Sequence, residues 1–483
     1  MPSRIFSTLR TRMARLGRDT AGATAIFVAI GLIPLIGSIG LAVDASLGYM
    51  LKSRITKSLD TAGLAAARVA LDDDAADVAR MYFDANFGAN PSVTVTDFSF
   101  DLDDTRQFVT LTANATAPTF FMRIFGQDSV NVAARTVIQR ATTGMELALV
   151  LDNTGSMNGA PFNAMQQAAY DLIDIIYGND TEIDNLWVSL VPFTATVNIG
   201  SGRTGWLKSG DRVLTNIASY STAGWKGCVM AQASPHDADD TPLSSLKLDS
   251  YFYASTTRTE DNKWPTIKPD RTYGGDVNAP RGPNLGCGPA ITPLTSSRAT
   301  IDTAIGNMGA WGRGGTTGNL GLSWGWRTLS PRWRGVWGGA TPAALPLDYD
   351  TDLMEKVVVI LTDGNNQFHD QDTASGTPAS DFTAYGRIEA MGVTGSDSQK
   401  RAAGRVILDN RMAGTCAAMK AQGEKGITIY TIIFGGTPDA AAQTLFRNCA
   451  TLPGMYYYAP NNATLAAAFK AIGGQLASLR IIE

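Results

Sequence analysis

Residues 145–157 read Met145-Glu-Leu-Ala-Leu-Val-Leu151, then Asp152-Asn-Thr154-Gly-Ser156-Met157. The first seven are apolar except for Glu146 and have the length of a strand buried on both faces. A helical spacing of apolar residues follows from about Phe162 to Tyr177. Strand, turn and helix in that order open an α/β domain. The turn lies at the carboxyl end of the strand, where open parallel sheets hold their ligands. Asp152, Thr154 and Ser156 offer one carboxylate and two hydroxyls in two-residue alternation. Hard oxygens so spaced turn toward one point and suit a magnesium-like cation.

Two later stretches can complete such a sphere. Gly314-Gly-Thr316-Thr-Gly-Asn-Leu-Gly321-Leu322 puts a hydroxyl on a glycine-rich loop before a helix, and Val357-Val-Val-Ile-Leu-Thr362-Asp363-Gly364 is a second buried strand ending in a carboxylate. Together D-x-T-x-S, G-G-T and L-T-D-G resemble a von Willebrand factor type A domain with its metal-ion-dependent adhesion site. The resemblance implies a Rossmann-like α/β fold and a divalent cation, Mg2+ foremost, with Mn2+ or Ca2+ as alternatives. Asp152, Thr154 and Ser156 would line the first loop, Thr316 the second and Asp363 the third. Thr154 stands where the family more often has Ser, which keeps the oxygen. Thr317 rivals Thr316, although the distance from Thr316 to Leu322 fits the family better. The competing reading is a domain that kept the shape without the metal, since a lone Asp at a strand end more often caps a helix. Asp152-Asn-Thr-Gly-Ser also resembles the aspartyl-phosphate loop of P-type ATPases, where the Asp is a nucleophile. Those pumps need many membrane spans and cytoplasmic ATP, and with two histidines in the chain an enzyme is not expected.

Further strands are expected at Leu186–Val191 and Ile427–Phe434, with helices near 398–422, 438–449 and 463–478, giving one domain over 144–483. A Gly/Ser/Thr/Asp-rich insertion of long loops is expected at about 195–312, carrying Trp206, Trp225 and Trp264. Trp311, Trp324, Trp326, Trp333 and Trp337 read as packing for these loops rather than a sugar platform. Four cysteines fall in two separated pairs, Cys228 and Cys287, Cys416 and Cys449. Without C-x-x-C or a nearby His they do not suit zinc, and in an exported chain they suit disulfides. Three pairings are open; pairing of neighbours is the simplest.

Before this domain, residues 72–143 change rhythm. Val93-Thr-Val95, Phe98-Ser-Phe100-Asp-Leu102, Phe108-Val-Thr-Leu111 and Val130-Asn-Val132 alternate at period two, after a helix over 75–87. This is a small α+β module. Its acidic clusters, Asp72–Asp74 and Asp101–Asp104, lack the spacing and glycine of a calcium loop and read as solvated turns. Residues 21–43, AGATAIFVAIGLIPLIGSIGLAV, carry no charge and are long enough to cross a ~30 Å hydrocarbon core. Arg4, Arg10, Arg12, Arg15 and Arg18 precede them, so the positive-inside rule keeps the N-terminus cytoplasmic. A cleaved signal peptide is the alternative, but the run is long for one and Asp44 leads into more helix. Leu51, Ile55, Leu59, Ala62 and Ala66 then recur at helical spacing, extending the helix to about 71 and making residues 1–71 one segment. A pilin-like long helix and a plain anchor with a stalk fit this pattern equally.

The whole chain has 483 residues, 40 basic against 44 acidic, 44% apolar and 17% charged. That excludes a wholly disordered protein and gives no reason to expect nucleic acid. Over its length the chain resembles the TadG-like proteins of the tight-adherence (Flp) pilus assembly system. The resemblance rests on the Arg-rich lead, Gly22-Ala-Thr-Ala-Ile-Phe27, 52–67 (KSRITKSLDTAGLAAA), Pro118-Thr-Phe-Phe-Met-Arg123, Gly325-Trp-Arg-Thr-Leu-Ser-Pro331 and Ala468-Phe-Lys-Ala-Ile-Gly-Gly474. Five residues after Gly22 stands Phe27, not the Glu of a type IV prepilin, so processing as a major pilin is not expected. The resemblance implies a single-pass protein of the bacterial inner membrane whose headpiece is periplasmic or cell-surface. Such a protein is a non-enzymatic factor in pilus assembly or anchoring. Its partners would be pilus assembly or pilin subunits, one of which presents an acidic residue to the metal; the headpiece's own insertion is another source of that acid. The alternative is a cell-surface adhesin binding a host or matrix ligand through the same site.

Overall fold

The computed structural model describes residues 20–67, 74–88, 91–102, 108–139, 144–215, 220, 224–258, 261–264, 281–371, 378–436 and 438–479. The arginine lead, residues 68–73 and Asp103–Asp104 lie outside them. Two compact units part between 141 and 142.

In the first unit, helix α1 runs unbroken from Thr20 to Ala67, 48 residues that include Pro34. Among the described residues it is one helix long and apolar enough to cross a membrane. Helix α2 is Asp74–Phe87. Strands β1 (Thr94–Leu102), β2 (Phe108–Pro118) and β3 (Ser129–Gln139) form an antiparallel meander. Leu51, Ile55, Leu59, Ala62 and Ala66 of α1 are buried, as their spacing predicts. They close a core with Phe83 and Phe87 of α2 and Val109, Leu111 and Ala113 of β2. Gly63 belongs at the closest approach, because a Cβ there would stand 2.7 Å from Ile138.

The second unit is a doubly wound sheet. Strand β4 is Gly144–Asp152, helix α3 Ala160–Tyr177 and strand β5 Leu186–Phe193. Short strands β6 (Val197–Asn198) and β7 (Cys228–Val229) and the edge strand β8 (Thr292–Thr295) precede helix α4 (Arg298–Gly306). Strand β9 (Gly315–Thr316) leads into helix α5 (Gly318–Leu329), strand β10 (Met354–Thr362) and β11 (Gln367–Phe368). Helix α6 (Asp397–Lys420), strand β12 (Thr428–Phe434), helix α7 (Ala440–Cys449), strand β13 (Tyr456–Ala459) and helix α8 (Asn462–Leu479) end the chain. The central order is β13-β12-β10-β4-β5, with every neighbouring pair parallel.

Period-two alternation sorts the central strands onto two faces. Leu147, Leu149, Leu151, Val357, Val359 and Leu361 pack under α3, α4 and α8. Ala148, Val150, Val358 and Ile360 pack under α5, α6 and α7. Burial on both sides explains why β4 and β10 read as near-continuous apolar runs. Truncating a fully buried member such as Leu149 would cost about 2–5 kcal/mol.

One sequence expectation needs correction. The insertion of long loops placed at 195–312 ends earlier, because Thr292–Thr295 pairs antiparallel with β5 and α4 packs into the core. Trp206 of the insertion packs against tryptophans that follow it in the chain. Trp206, Trp324, Trp333 and Trp337 meet mostly edge to face at centroid distances of 5.2–6.2 Å. Disulfides join Cys228 to Cys287 and Cys416 to Cys449, with Cα separations of 5.7 and 5.2 Å.

Candidate metal centre

Asp152 is the last residue of β4 and fully buried. Its Oδ1 accepts from the Thr154 backbone N–H at 2.8 Å and the Thr154 hydroxyl at 2.6 Å. Its Oδ2 accepts from the Thr362 hydroxyl at 2.6 Å. Thr154 Oγ1 stands 3.0 Å from Ser156 Oγ, which donates to Asp363 Oδ1 at 2.9 Å. Four of the five expected residues thus form one continuous chain of oxygens from the buried Asp152 to the exposed Ser156.

Thr316 comes by a different route. Gly314 and Gly315 before it have φ of +84° and +115°. A Cβ on them would come within 2.3 Å of Ala195 and 2.1 Å of the Gln367 carbonyl oxygen. Only glycine meets both demands. Thr316 pairs with Gln367, four residues past Asp363, and Trp311 on the same loop forms a bridge with Thr154. The hydroxyl of Thr317, the rival, donates to the Thr194 carbonyl at 2.8 Å. No such bond engages the Thr316 hydroxyl among the described residues.

The electrostatics show what the pair of carboxylates lacks. Burial, and then the negative Asp152 beside it, push the Asp363 carboxyl up to about 7, against the Ser156 hydrogen bond. Burial also raises Asp152, despite its hydroxyl and backbone donors. Neither forms an ion pair with a Lys or Arg among the described residues. Burial and mutual repulsion thus disfavour charge on this pair, and a divalent ion would favour it. The donor set, two carboxylates and three hydroxyls, suits a hard cation. Among the described residues no three His, Cys, Asp or Glu side chains gather, so no all-charged metal site stands beside this one.

Sequence reasoning missed two supports. Thr362 holds the second oxygen of Asp152, and its place just before Asp363 was the available signal. The other is a buried brace behind the Thr316 loop. Arg313, itself at φ +85°, pairs with Asp381 at 2.7 Å and Asp261 at 3.2 Å. Arg387 pairs with Asp261 as well. Left-handed backbone at a non-glycine costs about 1–3 kcal/mol, and buried, paired charges can hold it. No local pattern announces these partners.

Residues 22–69 match the Tad family model, described as Flp pilus-assembly TadE/G-like. The match covers most of α1 and none of the second unit. Comparison with curated proteins gives no match. Among solved structures, the chain is similar to the vWF domain of the type V pili tip protein Mfa5 from Porphyromonas gingivalis. That likeness has 11% identity over 69% of this chain and 95% of that one, at a TM-score of 0.34. It is similar to the pilus adhesin SpaC from Lactobacillus rhamnosus GG at 13% identity and a TM-score of 0.35, over 80% of this chain and 34% of that one. A third likeness is to proximal thread matrix protein 1 from the mussel byssus, with a zinc-occupied MIDAS motif. Here identity is 12% and the TM-score 0.29, over 70% of this chain and 47% of that one. The chain therefore spans about a third of SpaC and under half of the mussel protein.

Proposed function

We propose that this chain is a membrane-anchored, non-enzymatic factor of pilus assembly or anchoring, whose head binds a partner protein through a divalent cation. The observation that carries the reading is the oxygen chain Asp152–Thr154–Ser156–Asp363, built at the carboxyl ends of two adjacent parallel strands. The match of residues 22–69 to a pilus-assembly family supports the process.

The ion, Mg2+ first and Mn2+ or Ca2+ next, would supply an electrophilic position for a partner's carboxylate. The chain's own residues do the rest. Asp152 and Asp363 supply negative charge, Thr154, Ser156 and Thr316 neutral oxygens, and Thr362 fixes the carboxylate of Asp152. α1 anchors the protein in the inner membrane, with the arginine lead cytoplasmic and the head outside.

The test is capture of partners by full-length protein from crosslinked cells, with Mg2+ or with a chelator. A pilus subunit retained only with Mg2+, and lost with Asp152→Ala, supports the proposal; Asp152→Asn, which keeps an oxygen, should be milder. Equal capture under all these conditions, with calorimetry showing no Mg2+, Mn2+ or Ca2+ binding, overturns it. A reporter active only in the periplasm, fused after Glu483, checks the orientation: silence there and activity of a cytoplasmic reporter would reverse it.

A further inference from the structure

Between β2 and β3 the chain makes a loop whose composition is wrong for water. Phe120, Ile124 and Phe125 are 62%, 73% and 60% exposed, and Phe121 is exposed beside them. Loops facing solvent are ordinarily polar, and a contiguous apolar patch marks something that covers it.

The loop's position says what that is. It lies along α1, inside the same compact unit. Asp44 of α1 accepts the backbone N–H groups of Phe120, Phe121 and Met122 at 3.0, 3.0 and 2.7 Å. One turn deeper, a Cβ on Gly40 would stand 2.6 Å from the Phe121 Cβ. One turn deeper again, a Cβ on Gly37 would be 3.4 Å from the Phe125 ring. From Asp44 to Gly37 the helix descends about 10 Å at 1.5 Å per residue. The loop therefore follows α1 down past its charge-free boundary. Around it α1 exposes Ile36, Ile39 and Leu41, side chains of the span itself, so the apolar surface of loop and helix is continuous.

We infer that Phe120–Phe125 is a lipid-inserting loop, seated in the head-side leaflet of the membrane that α1 spans. The occupant of the patch is phospholipid. The aromatic rings take the interfacial depth that Phe and Trp favour in amphipathic anchors. Arg123, exposed among them, can reach headgroup phosphates. Asp44 sits at this depth with three N–H donors in place of water, which offsets much of the cost of a carboxylate there. Gly40, where a Cβ would collide with Phe121, lets the loop lie close on the helix. The membrane would thus hold the first unit at two places and restrict its tilt about α1.

This rests on the anchor reading, and the test separates the two. Full-length protein is reconstituted in vesicles of phosphatidylethanolamine and phosphatidylglycerol. A nitroxide is attached through Ile124→Cys, Phe120→Cys, Ile30→Cys or Tyr82→Cys, one at a time; both native cysteine pairs are disulfides and stay unlabelled. The expected result is that labels at 124, 120 and 30 collide more with oxygen than with a water-soluble nickel chelate. The label at 82, on α2, should do the reverse. Lipid exposure at 30 with aqueous labels at 124 and 120 overturns the loop insertion while the anchor stands, and leaves a protein partner as the cover. Aqueous labels at all four positions overturn both. Lipid exposure at 82 as well overturns the insertion as a specific feature, because the unit would then be adsorbed at large.

Discussion

Ser156 Oγ donates a 2.9 Å hydrogen bond to Asp363 Oδ1 across 207 positions of sequence. That bond joins the loop after β4 to the loop after β10. The two strands pair in parallel from Gly144 with Met354 to Leu151 with Leu361, so register alone delivers both loops to one edge. Ser156 is exposed and Asp152 buried, so solvent reaches this chain of oxygens from the Ser156 side.

Thr362→Ala removes the donor to Asp152 Oδ2 without touching a residue assigned to the ion. Outer partners of metal ligands typically govern affinity about 10–100-fold, so Mn2+ affinity should fall within that range. Stability should fall by about 1–2 kcal/mol from the lost bond to a buried carboxylate. Calorimetric titration and thermal unfolding read the two effects separately. Unchanged ion affinity would mean that Asp152 needs no such positioning.

Much of this was legible before any coordinates, for identifiable reasons. Residues Leu51 to Ala66 on α1 repeat the helical period that one-sided burial enforces, and β4 and β10 read as near-continuous apolar runs because both their faces are buried. The first and third loop motifs meet because β4 and β10 are adjacent parallel strands whose carboxyl ends share one edge. Strand β8 was not legible: Pro293 has no N–H and breaks a strand pattern. The structure tolerates it because β8 pairs on one side only, with β5. The brace of Arg313 with Asp261 and Asp381 was equally hidden, since its members lie 52 and 68 positions away.

Lys356 and Glu146 form a buried ion pair on adjacent strands, with Lys356 Nζ also donating to the Leu329 carbonyl at 2.9 Å. Burial raises the Glu146 carboxyl and lowers the Lys356 ammonium, against their mutual attraction. Lys356→Met alone should cost about 3–5 kcal/mol by stranding a buried acid. The double variant Glu146→Leu, Lys356→Met should recover most of that loss. Denaturant midpoints for both variants decide it, and a double variant no better than the single would show that the pair itself is net stabilising.

The disulfide between Cys416 and Cys449 ties α6 to the end of α7 across 33 residues. Replacing both by Ala should lower stability by about 2–4 kcal/mol. A non-reducing digest should also show Cys228 linked to Cys287. Free thiols in protein from the periplasm would contradict both links.

Asp439 gives the acid-side behaviour of the second unit. It caps α7 by accepting the Ala442 N–H at 2.8 Å and is gripped by Arg405, with Asn365 at 3.1 Å. The Arg405 hydrogen bonds, ahead of the capping and Asn365 bonds, hold its carboxyl well below the usual carboxylate range, although burial opposes them. A folded-state value depressed below the unfolded one, about 3.9, stabilises the fold above that pH and loses the contribution as pH falls toward the folded value. Asp439→Asn keeps a capping oxygen and removes the charge, so it isolates the ion pair. Because Asp439 is 43% exposed, solvent screening limits the loss to about 1 kcal/mol or less. The difference between wild type and Asp439→Asn should therefore be constant from pH 8 to about 5 and shrink below about 4. It should also diminish with added salt at pH 7. A difference that grows on acidification would show that the Arg405 contact does not depress Asp439 in the folded protein.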